Sequence, residues 1–183
     1  MNVAVCEYGA GNVRSVVAAF ERLGVSARAT TSPEDIAAAD LAVLPGVGSA
    51  GSAMDGLRAS GLDTALRERV AAGGATLGIC LGLQLALDES EEDGGVPGLG
   101  ILPGRAVRLR TERIPRIGWA EVEPEGEAYY FAHSYAAETP TAVSRTEGIV
   151  AAAESGSFLG VQFHPEKSGA AGARFLARCL SRA

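Results

Sequence analysis

The sequence predicts an α/β fold: an open, mostly parallel central sheet with helices on both faces, and an antiparallel strand region in the second half. Three observations carry this. Short apolar runs alternate with segments of helical periodicity as far as Leu87, the pattern of successive strand–helix–strand units. Beyond Pro97 the texture changes to short strand-like runs separated by turn residues. Between them, Gly74-Ala75-Thr76-Leu77-Gly78-Ile79-Cys80-Leu81-Gly82-Leu83-Gln84 reads as a buried strand, a sharp turn at a cysteine, and the start of a helix.

In chain order, residues 3–6 are expected as a first strand, followed by the glycine-containing turn Glu7-Tyr8-Gly9-Ala10-Gly11-Asn12. Asn12 stands where a helix N-cap would, before Val13, Val16, Val17, Phe20 and Leu23 at helical spacing; Gly24 ends that helix. The turn lacks the full G-x-G-x-x-G spacing, because Ser15 occupies the next required position, so it is not read as a dinucleotide loop. Residues 25–29 form a second strand. Ser32-Pro33-Glu34-Asp35 opens a short helix, with a capping serine, proline at the first helical position and acids in the first turn. Residues 41–44 are a third strand, running into Pro45-Gly46-Val47-Gly48-Ser49; residues 62–70 are an amphipathic helix, and residues 75–79 a fourth strand before a helix over 81–87. The acidic stretch Glu89-Ser90-Glu91-Glu92-Asp93-Gly94-Gly95 is expected to be a flexible, solvated loop. Strands follow over 104–110, 119–123, 128–135 and 141–145, then a closing pair over 149–153 and 158–163, and a last helix through Ala173, Phe175, Leu176 and Leu180.

The 183 residues, 47% hydrophobic and 21% charged, suit one domain spanning residues 1–183. A net charge of -6 without a basic cluster argues against nucleic acid as partner. The longest apolar runs are too short to span a membrane, and the N-terminus shows no signal-peptide pattern. Cys6, Cys80 and Cys179 are an odd number at wide spacing, which suits reduced thiols in a cytoplasm better than disulfides or a zinc site. Neither a metal nor another cofactor is expected.

Cys80 sits between Gly78 and Gly82, in the strand–turn–helix layout of the nucleophile elbow, with Cys in place of Ser. Such a turn is strained and closely packed, which explains small residues on both sides. It lifts the sulfur above the sheet at a helix N-terminus, where the thiolate is favoured. A nucleophilic cysteine needs a base, and the base needs a partner to fix its tautomer. The chain has two histidines, His133 and His164, and His164-Pro165-Glu166 supplies both base and orienter. Attack on a carbonyl needs an oxyanion hole. The backbone N–H of Leu81 is one natural donor, and the glycine-rich turn at Val47-Gly48, at another strand end, is the candidate for the second.

These residues resemble the class I (triad) glutamine amidotransferases, through Gly78-Ile79-Cys80-Leu81-Gly82-Leu83-Gln84 and His164-Pro165-Glu166. A wider set resembles one family within that class, the glutaminase subunits of imidazole glycerol phosphate synthases. The set comprises Tyr8-Gly9-Ala10-Gly11-Asn12 with Arg14-Ser15-Val16, Pro45-Gly46-Val47-Gly48, Gly95-Val96-Pro97-Gly98-Leu99-Gly100, Ile117-Gly118-Trp119, His133-Ser134-Tyr135, and Val161-Gln162-Phe163-His164-Pro165-Glu166-Lys167-Ser168. The resemblance implies Cys80 as nucleophile, His164 as base and Glu166 as orienter. It implies contacts to substrate glutamine from Gln84, Ser134 and Tyr135. It also implies a heterodimer with a (β/α)₈-barrel cyclase that receives the ammonia, docked at Asn12, Trp119 and Lys167. The family usually has Asp where this chain has Glu7, and Pro-His-x-Gly-Trp-Asn where it reads Pro115-Arg116-Ile117-Gly118-Trp119-Ala120; the segment between Leu109 and Ile114 is short. These departures bear on docking rather than on the triad. Three other readings stand beside this one: a paralogue feeding ammonia to another synthase, a free-standing Cys-His peptidase or γ-glutamyl hydrolase, and a regulatory protein with a decayed site. The intact Cys80, His164 and Glu166 oppose the last of these.

Overall fold

The computed structural model describes residues 1–9, 11–111 and 113–183. Ala10 of the Tyr8–Asn12 turn and Glu112 of the short segment before Ile114 lie outside the described residues. The first half builds β1 (Asn2–Cys6), α1 (Val13–Glu21), β2 (Ser26–Thr30), α2 (Pro33–Ala38), β3 (Leu41–Leu44), α3 (Ala50–Ser60), α4 (Leu62–Ala71), β4 (Thr76–Ile79) and α5 (Leu81–Leu85). The second half contributes β5 (Glu89–Ser90), β6 (Val96–Pro97), β7 (Arg105–Arg108), β8 (Arg116–Val122), β9 (Glu127–His133), β10 (Tyr135–Glu138), β11 (Ala142–Thr146), β12 (Ile149–Ser155), β13 (Phe158–Val161) and α6 (Gly169–Leu180).

A seven-stranded sheet in the order β11-β12-β13-β4-β3-β1-β2 is the centre of the molecule. Strands β2, β1, β3, β4 and β13 pair in parallel, and β12 runs antiparallel to both its neighbours. Alternation along each strand feeds two layers. Val3, Val5, Leu41, Val43, Leu77 and Ile79 face a core closed by α1 and α6, through Val16, Phe20, Phe175 and Leu176. Ala4, Cys6, Ala42 and Leu44 face the opposite core, closed by α2 to α5 through Ile36, Met54, Leu57, Leu66 and Leu85. Helices thus cover both faces, as parallel strands require. A four-stranded sheet, β10-β7-β5-β6, and the hairpin β8-β9 form the second region.

Two local expectations need correction, and one helix was not anticipated. Residues 128–135 are not one strand: the chain breaks at Ser134, so that β9 pairs with β8 while β10 pairs with β7. Helix α3 was masked in the sequence by Gly51, Gly56 and three serines among its neighbours. Gly56 is there for space, since a Cβ would lie 2.1 Å from the Tyr8 carbonyl oxygen. Finally, the acidic stretch 89–95 is not a free solvated loop. It folds as β5 and a 3₁₀ turn, and its carboxylates cap α3: the Ala50 N–H donates to Glu92 Oε2 at 2.9 Å and the Gly51 N–H to Asp93 Oδ2 at 3.0 Å. The acids satisfy N–H groups that have no acceptor within the helix, at its positive end.

Candidate active site

Cys80 lies where β4 turns into α5, with φ 53° and ψ -105°. Non-glycine residues rarely take this conformation, and the surroundings must hold it. They do so through a hydrogen bond from the Cys80 N–H to the Val161 carbonyl, 2.7 Å, and through close approaches that admit only glycine. A Cβ on Gly82 would lie 1.9 Å from the Leu44 carbonyl oxygen, and one on Gly78 would lie 2.7 Å from the Phe158 ring. Both flanking glycines are therefore explained by contact with neighbouring chain.

His164 follows β13, the strand beside β4. Its Nδ1 is 2.8 Å from Glu166 Oε1, and both side chains are almost fully buried. Its backbone is fixed twice: the His164 N–H donates to the Tyr130 carbonyl at 2.8 Å, and the buried Ser168 hydroxyl donates to the His164 carbonyl at 2.6 Å. That hydroxyl in turn accepts from the Tyr130 N–H at 3.0 Å. Ser168 belonged to the motif but not to the candidate residues; its signal, a serine two residues past an acid, has no distinctive chemistry in sequence. Burial pulls the His164 pKa down, yet hydrogen bonding to Cys80 and Glu166, with their negative charge, outweighs it and pushes the value up to about 9. His133 goes the other way. Burial, aided by the charges of Arg116 and His164, takes it down to about 4 despite a hydrogen bond with the Tyr135 carbonyl. The two histidines are thereby distinguished: His164 holds a proton beside the thiol, and His133 stays neutral.

Cys80 opens into a cavity of about 170 Å³ whose lining includes Val47, Gly48, Leu81, Gln84, Ser134 and Tyr135. Every residue expected at the oxyanion or substrate position therefore meets the thiol in one space. The N–H of Leu81, first residue of α5, has no acceptor within the helix. Gly48 has φ +109° with open space around it. The Gln84 amide donates to the Tyr135 carbonyl at 2.8 Å and sits 3.1 Å from Gln162 Oε1, so its own carbonyl is what remains for a ligand. Glu92, absent from the sequence candidates, also lines the cavity, its carboxyl pKa raised by burial. A space with a thiol, a carboxylate and backbone donors suits a small zwitterion carrying an acyl group. Among the described residues no group of three or more His, Cys, Asp or Glu side chains could hold a metal ion.

The three expected docking residues lie apart from the cavity. Trp119 is 58% exposed on β8, edge to face with Tyr130 at 6.2 Å, and the Lys167 ammonium lies 6.0 Å from the same ring. Tyr130 in turn lies 6.5 Å from the His164 ring, so this surface abuts the site. Asn12 precedes α1, a helix that touches the Pro165–Lys167 turn; its side chain makes no capping bond. Arg116, one of the departures, is held inward by Thr146 and Glu147 with its guanidinium 4.8 Å from the Phe131 ring.

Residues 4–183 match the family described as glutamine amidotransferase class-I. The imidazole glycerol phosphate synthase subunit HisH of Chlorobaculum tepidum is 41% identical, over 95% of this chain and 96% of that protein. The protein of the same name from Methanothermobacter thermautotrophicus is 43% identical, over 93% of each. A crystal structure described as a glutamine amidotransferase superposes with a TM-score of 0.81 at 23% identity, covering 98% of this chain and 97% of that one, a likeness of fold.

Proposed function

The chain belongs to the class I glutamine amidotransferases, and from that premise we propose that it is the glutaminase subunit of an imidazole glycerol phosphate synthase, in histidine biosynthesis. It hydrolyses L-glutamine to glutamate and ammonia. The observation that carries the chemistry is the buried His164–Glu166 pair, 2.8 Å apart, set behind a cysteine in a strained turn that opens into the cavity.

In this reading the Cys80 thiolate attacks the side-chain carbonyl carbon of glutamine, and the negative charge moves to the carbonyl oxygen. The Leu81 N–H and a peptide N–H of Val47-Gly48 stabilise that oxygen. Collapse expels the amide nitrogen, which takes a proton from the His164 imidazolium and leaves as ammonia; a thioester on Cys80 remains. His164, now neutral, takes a proton from water as the water attacks the thioester, and glutamate departs with the thiolate restored. Glu166 acts through His164, by fixing its tautomer and favouring the imidazolium. Gln84, Ser134 and Tyr135 bound the substrate, and Glu92 faces its α-ammonium.

The relatives are named as subunits, which implies a partner. We take that partner to be a (β/α)₈-barrel cyclase forming a heterodimer, docked on Trp119, Lys167 and Asn12. Support comes from exposed apolar side chains beside the site: Ile117 at 63%, Trp119 at 58% and Val47 at 41%. The single domain acts in the cytoplasm, consistent with three unpaired cysteines. No helix among the described residues is long and apolar enough to cross a membrane.

Cys80→Ala in the assembled synthase tests the division of labour. Synthesis from glutamine should vanish, and synthesis from added ammonium salts should persist, because only the first needs the thiolate. Loss of both in a folded, assembled complex would overturn the reading.

A further inference from the structure

We propose that Gln162 is a catalytic residue of this site, whose side-chain N–H bonds to the Cys80 sulfur and favours its anionic form, with Gln84 locking it in that orientation. The inference rests on the reading of Cys80 as the nucleophile.

Gln162 is fully buried, one residue beyond the end of β13, where Val161 pairs with Ile79 just before Cys80. Its backbone N–H donates to the Ala151 carbonyl at 2.8 Å. The side-chain orientation follows from bonding logic. The Tyr135 carbonyl can only accept, so the Gln84 atom 2.8 Å from it is the amide nitrogen. That nitrogen also has the nearer end of the Gln162 amide at 3.1 Å, and having only hydrogens to offer it requires an oxygen there. The other end of the Gln162 amide is therefore its NH₂, and it lies 3.5 Å from Cys80 Sγ. The donors run in one direction, from Gln84 to Gln162 to the sulfur.

The direction decides which form of Cys80 this contact favours, in addition to the charge of the His164 imidazolium that bonds to the same sulfur. An N–H facing sulfur stabilises the thiolate, and hydrogen bonds to charged groups are the stronger kind. The Ala132 carbonyl, 3.8 Å from Sγ, can only accept, and so favours the protonated thiol. Gln162 opposes that contact from within the protein, where water cannot substitute for it. An unlocked amide could instead turn its oxygen toward the sulfur and repel the thiolate. This gives Gln84 a second task beyond lining the cavity: it fixes the amide that serves the nucleophile.

The test reads the thiolate directly, as the pH dependence of Cys80 alkylation by iodoacetamide in the purified full chain, followed by mass of the Cys80 peptide. Cys6 and Cys179 are buried, with pKa values pushed up to about 12, and should stay unlabelled near neutrality. Gln162→Met keeps the volume without the donor, and Gln162→Leu is a second apolar variant. Each should raise the midpoint of the alkylation profile by about one pH unit, which is an approximately tenfold loss of rate on the acid side of the profile. Gln84→Met, which leaves the sulfur contact itself in place, should move the midpoint the same way by a smaller amount. Melting curves identify the variants that fold; an unchanged midpoint in whichever of the three folds overturns the proposal. Because no glutamine or partner subunit enters this assay, a chain that fails as a glutaminase can still pass it, and the reverse.

Discussion

The phenol of Tyr8, just past the end of β1, donates a hydrogen bond to the carbonyl of Pro45, at the entry to the Pro45-Gly46-Val47-Gly48 segment. Burial, with Cys6 and Cys80 nearby, raises the Tyr8 pKa and keeps it a donor. The next residue is wedged as well: a Cβ on Gly46 would lie 2.6 Å from the Leu81 Cβ and 3.1 Å from the Tyr8 hydroxyl. The segment is thus fixed at its start and open at its end, where Val47 and Gly48 are exposed. Tyr8→Phe should leave the buried Pro45 carbonyl without its partner, at a cost of about 1–3 kcal/mol in stability. In the proposed mechanism the oxyanion contact from Val47-Gly48 matters only in the transition state. The variant complex should therefore show a lower kcat for glutamine hydrolysis with little change in KM. Steady-state kinetics beside denaturant unfolding measure both; a raised KM at constant kcat would place Tyr8 in substrate binding instead.

Gly82 separates packing from conformation. Its φ is ordinary, but an alanine Cβ would stand 1.9 Å from the Leu44 carbonyl oxygen, a clash with backbone that no side-chain movement relieves. Gly82→Ala should destabilise the chain by about 3 kcal/mol or more and displace the adjacent Cys80. Gly73 is the control, with φ +82° and nothing within 4 Å of an added Cβ. Gly73→Ala should cost only about 1 kcal/mol, from the left-handed backbone alone, and leave hydrolysis intact. Equal losses in the two variants would refute the distinction.

The histidines set opposite limbs of a pH profile. His164 holds its proton up to about 9 in the folded chain, against an ordinary 6.5, so its stabilisation is complete below 6.5 and drains away as pH rises through 9. His133 is depressed from 6.5 to about 4, so its stabilisation is present above 6.5 and is lost as pH falls through 4. From these two groups stability peaks near 6.5. Melting temperature across pH 4–10 should show both limbs, with His133→Gln flattening the acid one and His164→Gln the alkaline one. Glutamine hydrolysis by the complex should also decline above pH 9, where His164 no longer carries the proton for departing ammonia. An alkaline limb unchanged by His164→Gln would remove the thiol–imidazolium pair from the account.

What could be read in the sequence depended on distance along the chain. Cys80 with its glycines, and His164 with Glu166, are motifs recognisable from adjacent residues, although Leu44, Phe158, Val161 and Tyr130, distant in sequence, hold them in place. The parallel sheet was legible because each apolar run and its helix are neighbours in sequence. Glu92 and helix α3 were not, and for a single reason. They define each other across some forty residues, the carboxylates capping a helix whose glycines look like breakers until Tyr8 is seen against Gly56. An acid run viewed alone carries only its charge. The break at Ser134 was likewise hidden, because apolar character continues through it while the pairing partner changes from β8 to β7.

Glu92 also carries the most discriminating test of substrate orientation. Its carboxylate lines the cavity with Cys80 while Oε2 accepts the Ala50 N–H at 2.9 Å. Glutamine bound with its side-chain carbonyl at the sulfur must place its α-ammonium elsewhere in that small space, and Glu92 is the acidic side chain among the described lining residues. Glu92→Gln preserves shape and still offers an oxygen to Ala50, so the cap on α3 should survive. What it removes is the charge. The KM for glutamine should rise by about 10- to 100-fold with kcat largely retained, as expected when a ground-state ionic contact is lost. A second measurement makes the assignment specific. Glutaramate, which is glutamine without its α-amino group, should be a poor substrate for the native enzyme, because it leaves the carboxylate unpaired. For Glu92→Gln the preference for glutamine over glutaramate should shrink by a similar factor. If the variant discriminates as strongly as the native enzyme, Glu92 serves the helix alone and another group must hold the ammonium.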